Sequence, residues 1–397
     1  MDITASFSPS VERPNDNVFT NTTPQSGFCI YFPSECVDKN RVSIALPLTY
    51  KTIRTIPANG SMREGVFVHL PRRQYVTLTN MDGDTMIAEF IPNFFSARIT
   101  PHGGINTWGG GGLGQTLGYP QNSGGGTGCS SGIGGGYLVQ GESLMFAWRA
   151  NDGTNCYRVS DIERSEGIVF DELSIGYEFR TPNPLTVEAG IYEGEITYQV
   201  GPGGDLDFGD NADVSDDTLN VRFRVNVVHE LILNTDNSNR DVMLLPCNLN
   251  KVCSLEEGNA NWERWMINRV TPQLTGGSNF KLSSSGTFTV YLECEHYLES
   301  DCALKSDNIP TQLIPVQTLL TLPENIVNSV SGAGVLKQHV FVGKDISKSL
   351  FTTKAYGQNK NGRIDFRIVQ KYVESMLMTR PDSYRGTVTV IFDPDIH

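Results

Sequence analysis

The chain has 397 residues, a net charge of −13 and a pI of about 5.0. That length accommodates about two or three domains of roughly 100–200 residues, each with a core of its own. The acidic balance argues against non-specific nucleic-acid binding, which needs clustered Lys and Arg against phosphates, and no apolar run approaches the roughly 20 residues of a membrane span.

The first segment, "DITASFSPS", alternates Ile3, Ala5 and Phe7 and reads as a strand. Eight cysteines follow: Cys29, Cys36, Cys129, Cys156, Cys247, Cys253, Cys294 and Cys302. Their even number and the absence of C-x-x-C spacing suggest full pairing in an oxidising compartment rather than zinc sites. Sequential pairing is the simplest arrangement. Cys247–Cys294 with Cys253–Cys302 is a rival, and eight buried thiols a third possibility. From the cysteines, Met1 is expected to stand where a signal peptide was removed.

Short alternating runs separated by Gly, Pro, Asn and Asp dominate the rest: "RVSIALPLTYKTI", "QYVTLTNM", "TMIAEFIP", "SLMFAWRA", "EGEITYQVG", "TLNVRFRVNVV", "GTFTVYLECEH" and "RGTVTVIFD". Many short half-polar strands predict an all-β chain of packed sandwiches. Helical periodicity is nearly absent. Its best candidate is Arg363 to Met378, which also reads as a strand followed by a loop.

From Gly103 to Gly136, 16 of 34 residues are glycine, so this stretch cannot be a core strand and reads as a long surface loop, functional or disordered, tied near its end by a Cys129–Cys156 bridge. In and beside it stand Trp108, Tyr119, Gln121, Asn122, Tyr137, Arg149 and Asp152. Aromatic faces beside amides, a guanidinium and a carboxylate suit sugar recognition. They are the candidate receptor-binding residues, against the plainer reading that the aromatics anchor the loop. "GCSSG" matches G-x-S-x-G at Ser130, but glycine flanks it where a nucleophile elbow needs a strand and a helix. "LPRRQY" (Arg72, Arg73) is a small basic spot, either an anionic-sugar contact or a solvated turn. Asp205, Asp207, Asp210, Asp213, Asp216 and Asp217 could form a calcium loop, yet the EF-hand spacing fails and a hairpin tip is the simpler reading. The six histidines are dispersed without metal-ligand spacing. Neither a metal, a cofactor nor a catalytic residue is expected.

A polar tract, Asn234 to Asn239, follows "TLNVRFRVNVV" and places a boundary near residue 228: 1–228 and 229–397 are the expected domains. The last strand alternates Val388, Val390 and Phe392 with Thr387, Thr389 and Ile391 and is followed only by Asp393 to His397.

Together, "DITASFSPS", the hairpin "GIYEGEITYQV…TLNVRFRVNVVHELIL", the immediate start of a second domain and the closing "SYRGTVTVIFD" resemble a two-domain tip adhesin of chaperone–usher fimbriae, with a likeness to the class 5 colonisation-factor and cable-pilus minor subunits. The resemblance implies two immunoglobulin-like β-sandwiches in tandem: an N-terminal adhesin domain for a host glycan or glycoprotein, and a C-terminal pilin domain lacking its final strand. It implies a groove along Tyr384, Gly386, Val388, Val390 and Phe392, filled first by a periplasmic chaperone and then by the donor strand of the adjacent pilus subunit, with passage through an outer-membrane usher to an extracellular tip. A tip subunit has no neighbour beyond it, so Ile3, Ala5 and Phe7 are expected to fold into the first domain's own sheet. Donation to another subunit or to a second copy is the rival. Four cysteines in the second domain exceed the usual pilin pattern, and no receptor residue is carried over from the family. A secreted β-sandwich enzyme or carbohydrate-binding module would need paired carboxylates roughly 5–9.5 Å apart. A phage structural fibre fits poorly with four disulfides.

Overall fold

A computed structural model describes residues 1–15, 18–100, 119–122, 128–130, 138–140, 143–150, 153–235, 240–248 and 251–394. The chain is all-β and divides into two compact units. The first comprises Met1–Phe7, Phe19–Pro182 and Gly190–Val227, and the second Ser8–Val18, Asn183–Ala189 and Val228–His397. Among the described residues no helix is long and apolar enough to cross a membrane.

The first unit is built on β1 (Asp2–Phe7), β2 (Gln74–Thr79), β3 (Thr85–Thr100), β4 (Ser143–Ala150), β5 (Val169–Arg180), β6 (Gly190–Gln199) and β7 (Thr218–Val227). They run in the order β5–β3–β2–β6–β7–β1. The 16-residue β3 organises this sheet. Its first half pairs with β2 and its second half with β4, while β5 follows its other edge. Alternation explains β7: Leu219, Val221, Phe223, Val225 and Val227 are buried while Arg222 and Arg224 face out. β1 lies parallel to β7, from Asp2 opposite Arg222 to Phe7 opposite Val227, and buries Ile3, Ala5 and Phe7. The first strand is therefore folded into its own unit. Fully buried aromatics, among them Phe90, Phe95, Phe146, Trp148 and Phe223, fill the core.

The second unit is a two-sheet sandwich. One sheet carries β8 (Gln273–Ser284), β10 (Asp301–Ser306), β11 (Leu313–Thr321) and β13 (Gly357–Ile368), in the order β8–β13–β11–β10. The other carries β9 (Thr287–Cys294), β12 (Leu350–Thr353) and β14 (Val388–Asp393), in the order β12–β9–β14. Phe280, Leu282, Leu320 and Ile364 of the first sheet meet Phe288, Val290, Leu292 and Phe351 of the second. Two helices accompany the sheets: α1 (Leu255–Asn268) and α2 (Gln370–Met378). The stretch from Arg363 to Met378 is thus half strand and half helix, changing at Val369, where period-two burial of Ile364 and Ile368 gives way to Val373 packing from a helix. Disulfides join Cys29–Cys36, Cys129–Cys156, Cys247–Cys253 and Cys294–Cys302, the sequential arrangement and not the crossed one.

Candidate functional site

The last strand changes sheets as it arrives. Tyr384 and Arg385 pair with Ser306 and Lys305 of β10. Two residues later the chain joins the opposite sheet, where β14 pairs with β9 from Val388 opposite Cys294 to Asp393 opposite Thr289. Gly386 permits the crossing, since a Cβ there would come 2.8 Å from the Ala303 carbonyl oxygen. Among the described residues no strand pairs along the outer edge of β14. Lys344 holds its far end through Asp393, 3.1 Å away.

Beside this crossing runs an open groove of about 860 Å³. Its floor is apolar, made by Leu274, Val316, Phe366 and Ile368 of the larger sheet. One wall is Tyr384–Val388 and the other is the segment Val242–Leu244, held against Gly276 of β8. A Cβ on Gly276 would approach the Val242 and Leu244 side chains to 2.7 and 2.8 Å, so only glycine allows this wall to lie so close. Arg240 and Asp241 on one rim face Asp382 and Arg385 on the other. Tyr384, Gly386 and Val388 line the groove, whereas Val390 and Phe392 pack on the sandwich core beside it, Phe392 edge-on to Phe280 at 5.3 Å. None of the four apolar residues of β14, Val388, Val390, Ile391 and Phe392, is fully buried.

Among the candidate receptor residues, Trp108, Tyr137 and Asp152 lie outside the described residues. The other four gather around the Cys129–Cys156 bridge. Gln121 donates its backbone N–H to the Tyr157 carbonyl at 2.7 Å and accepts from Val159 N–H at 2.9 Å. The Asn122 amide donates to the Asn155 carbonyl at 2.7 Å and accepts from Tyr157 N–H at 3.3 Å. Both amides therefore clamp this turn along the edge of Asn155–Arg158. Tyr119 is half exposed, its carbonyl accepting from Arg158. Arg149 is exposed on β4 opposite Ser130, and Ala150 is opposite Cys129. Burial, and then the nearby Arg149 charge, lower the Arg41 pKa below its ordinary value.

The remaining motifs have structural placements. Ser130 is a strand residue paired with Arg149. Arg73 pairs with Glu89 at 3.1 Å, while Arg72 lines a polar hollow of about 310 Å³ with His69, Gln74 and Asp205. Asp205, Asp207, Asp210, Asp213 and Asp216 are each held by partners within the protein. Asp207 and Asp210 both bind Arg63, Asp205 accepts from Gln199 N–H, Asp213 pairs with Lys51 and Asp216 accepts from Thr218 N–H. What the sequence reading missed is the far wall of the groove, Val242–Leu244, and helix α1. The first lacked any pattern of its own; the second carried a capping signal at Ser254, whose hydroxyl accepts from Glu257 N–H at 3.2 Å.

No protein-family model matches this chain, and no curated protein matches it. Solved structures similar to it include three that contain fimbrial adhesive subunits. A chaperone–tip adhesin complex of CFA/I fimbriae biogenesis shares 10% identity over 99% of this chain and 95% of that one, at a TM-score of 0.23. The CsuC–CsuE chaperone–tip adhesion subunit complex of archaic Csu pili from Acinetobacter baumannii shares 10% over 99% and 98%, at 0.22. CfaE, the adhesive subunit of CFA/I fimbria of enterotoxigenic Escherichia coli, shares 8% over 98% and 91%, at 0.22.

Proposed function

We propose that this chain is the adhesive tip subunit of a chaperone–usher fimbrium, displayed outside the cell after passage through the periplasm. In this reading the first unit binds a host glycan or glycoprotein and the second joins the fimbrium by accepting a donor strand. The role is binding and assembly rather than catalysis. The observation that carries it is the groove: an apolar floor lying between two chain segments, beside strand β14, which among the described residues is paired on one edge only. Such an edge invites another strand. An incoming strand would lay alternate apolar side chains on Leu274, Val316, Phe366 and Ile368 and offer its backbone to the open edge, which is β-augmentation. Three or four buried apolar side chains at about 2 kcal/mol each provide a driving force of roughly 6–8 kcal/mol before ordering costs. Before assembly the same surface would favour aggregation, so a periplasmic chaperone is its first occupant and the usher the site of exchange.

For the receptor, the surface around the Cys129–Cys156 bridge is the favoured region, with Tyr119 and Arg149 as its exposed described members. Trp108, Tyr137 and Asp152 complete the proposed set, and Gln121 and Asn122 would serve it by fixing the turn.

The test is a thermal melt of the full chain with synthetic peptides that alternate apolar and polar residues. A groove-filling peptide stabilises by mass action, so the midpoint should rise with peptide concentration. A version with aspartate at the apolar positions should leave it unchanged. A chain that is monomeric without a chaperone, and that no alternating peptide stabilises, would contradict the proposal.

A further inference from the structure

The basic pair Arg72–Arg73 divides in the fold. Arg73 is engaged by Glu89, whereas Arg72 lines the polar hollow of about 310 Å³ in the first unit, where β2 begins and β6 ends. The other side chains of the hollow are His69, Gln74, Gln199 and Asp205, and the backbone of Gly203 and Gly204 completes it. Among the described residues no apolar side chain lines it. Among those residues, too, the Arg72, Gln74 and Gln199 side chains take part in no hydrogen bond or ion pair.

The frame around these uncommitted groups is fixed. Asp205 accepts from Gln199 N–H through Oδ2 at 2.9 Å, which leaves Oδ1 to a ligand. Gly203 donates to Asp207 at 2.8 Å, and Asp207 is buried and held by Arg63. Gly204 donates to the Gly201 carbonyl at 2.9 Å, and a Cβ on Gly204 would come 2.7 Å from the Gln199 carbonyl oxygen, so a larger residue would displace the turn. His69 is tied by its backbone to Asp207, at 2.8 and 3.1 Å, and its Nδ1 lies 2.6 Å from Asn155 Oδ1. Asn155 pairs opposite His69, and the next residue, Cys156, carries the bridge to Cys129. The hollow is therefore continuous with the face proposed for the receptor.

Groups fixed in advance lose little freedom when a ligand arrives. An all-polar lining offers nothing to an apolar ligand. One guanidinium and one carboxylate balance each other, which favours a ligand without net charge. A carboxylate accepts from hydroxyls, a guanidinium donates to hydroxyl and ring oxygens, and the two amides do both. The volume lies at the small end of ligand sites, the scale of a single sugar ring. We infer that this hollow binds one neutral monosaccharide unit, with Asp205 accepting from its hydroxyls, Arg72 donating to its oxygens, and Gln74 and Gln199 closing the ring of contacts. The inference rests on the receptor reading and deepens it, giving the face beside the Cys129–Cys156 bridge its ligand class.

The experiment records saturation-transfer NMR titrations of the full chain. The probes are the methyl glycosides of β-galactose, α-mannose, α-fucose and N-acetyl-β-glucosamine, with N-acetylneuraminic acid and alanine as charged and zwitterionic comparisons. At least one neutral glycoside should bind with a Kd on the order of 1 mM, and the two comparisons should not. Arg72→Ala and Asp205→Asn should each weaken that sugar by about tenfold, the loss of a hydrogen bond to a charged group. Arg72 is exposed and without a partner among the described residues, so its removal should leave the melting curve in place and carries the test where Asp205→Asn disturbs the turn. Binding of none of the four glycosides overturns the inference, as does equal binding of alanine or binding confined to the acidic sugar. A sugar lost with Tyr119→Ala but kept with Arg72→Ala also overturns it, and leaves the receptor reading standing on the rest of that face. The peptide-dependent melt decides the fimbrial reading separately.

Discussion

His229 is held largely out of water, which favours its neutral ring. Its Nε2 donates to the Val187 carbonyl oxygen at 2.8 Å, and its Nδ1 lies 3.3 Å from Ser285 Oγ. Burial lowers its pKa below the ordinary 6.5. A His with a depressed folded pKa contributes stability that is complete above its unfolded pKa and is lost as pH falls through the folded one. The thermal midpoint of the second unit should therefore drop as pH falls below about 6.5, the ordinary value. His229→Gln should flatten that part of the curve. Parallel wild-type and variant profiles between neutral and mildly acidic pH would refute the role. In the first unit, Arg63 binds Asp207, a nearly buried carboxylate that also accepts from Gly203 and Gly209 N–H at 2.8 and 2.7 Å. Arg63→Ala strips that carboxylate of its cation and should cost about 2–3 kcal/mol, read by denaturant titration. A cost near zero would mean that the two backbone donors suffice.

At the scale of elements, the groove depends on a wall that contributes no strand of its own. Gly276→Val places two methyl groups where Val242 and Leu244 now lie, so the wall must move off β8. The variant should fold, because the sandwich core lies elsewhere, but should lose most of the melting-temperature gain from a groove-filling peptide. An undiminished gain would show that the wall does not contact the peptide. The same elements show what could be read beforehand. Strands β6 and β7 were legible because each buries alternate residues against one face, and β14 because Val388, Val390 and Phe392 pack at that spacing, partly buried, on the core. Strand β3 was legible only to Pro92. It continues because the register with β5 shifts between Gly176 and Tyr177, where Tyr177 comes opposite Pro92, so the missing N–H is accommodated at an irregularity. Helix α1 escaped because its buried face is thin, Gly258 and Asn261, and most of its apolar residues are exposed. The groove was half visible: Tyr384, Gly386 and Val388 sit in a recognisable strand, while the opposing wall and the floor come from residues some 20 to 140 positions earlier, which no local pattern connects.

At the scale of the whole molecule, covalent bonds and sheet pairing divide the work of holding the chain. Two disulfides serve each unit. The widest, Cys129–Cys156, closes a span of 27 residues beside the Gly-rich stretch. Loop-closure entropy puts its loss at about 3 kcal/mol. The double variant Cys129→Ser with Cys156→Ser should lower stability by that order, and reduction of the wild type should reproduce the effect along with the smaller losses of the short loops. Denaturant titration with and without reductant checks both. Indifference to reductant would mean that the sheets alone set the stability of the first unit.

The parallel pairing of β1 with β7 also governs timing. As the chain grows, Ile3, Ala5 and Phe7 are made well before their partner and find none until Thr218–Val227 has been made. At about 5–20 residues per second this wait lasts roughly ten to forty seconds. Throughout it the earliest strand is a sticky apolar tail, and every shortened product that stops before residue 218 keeps it so. A strand made long before its partner is among the last to be seated, which makes Asp2–Phe7 a natural handle for whatever escorts the newborn chain.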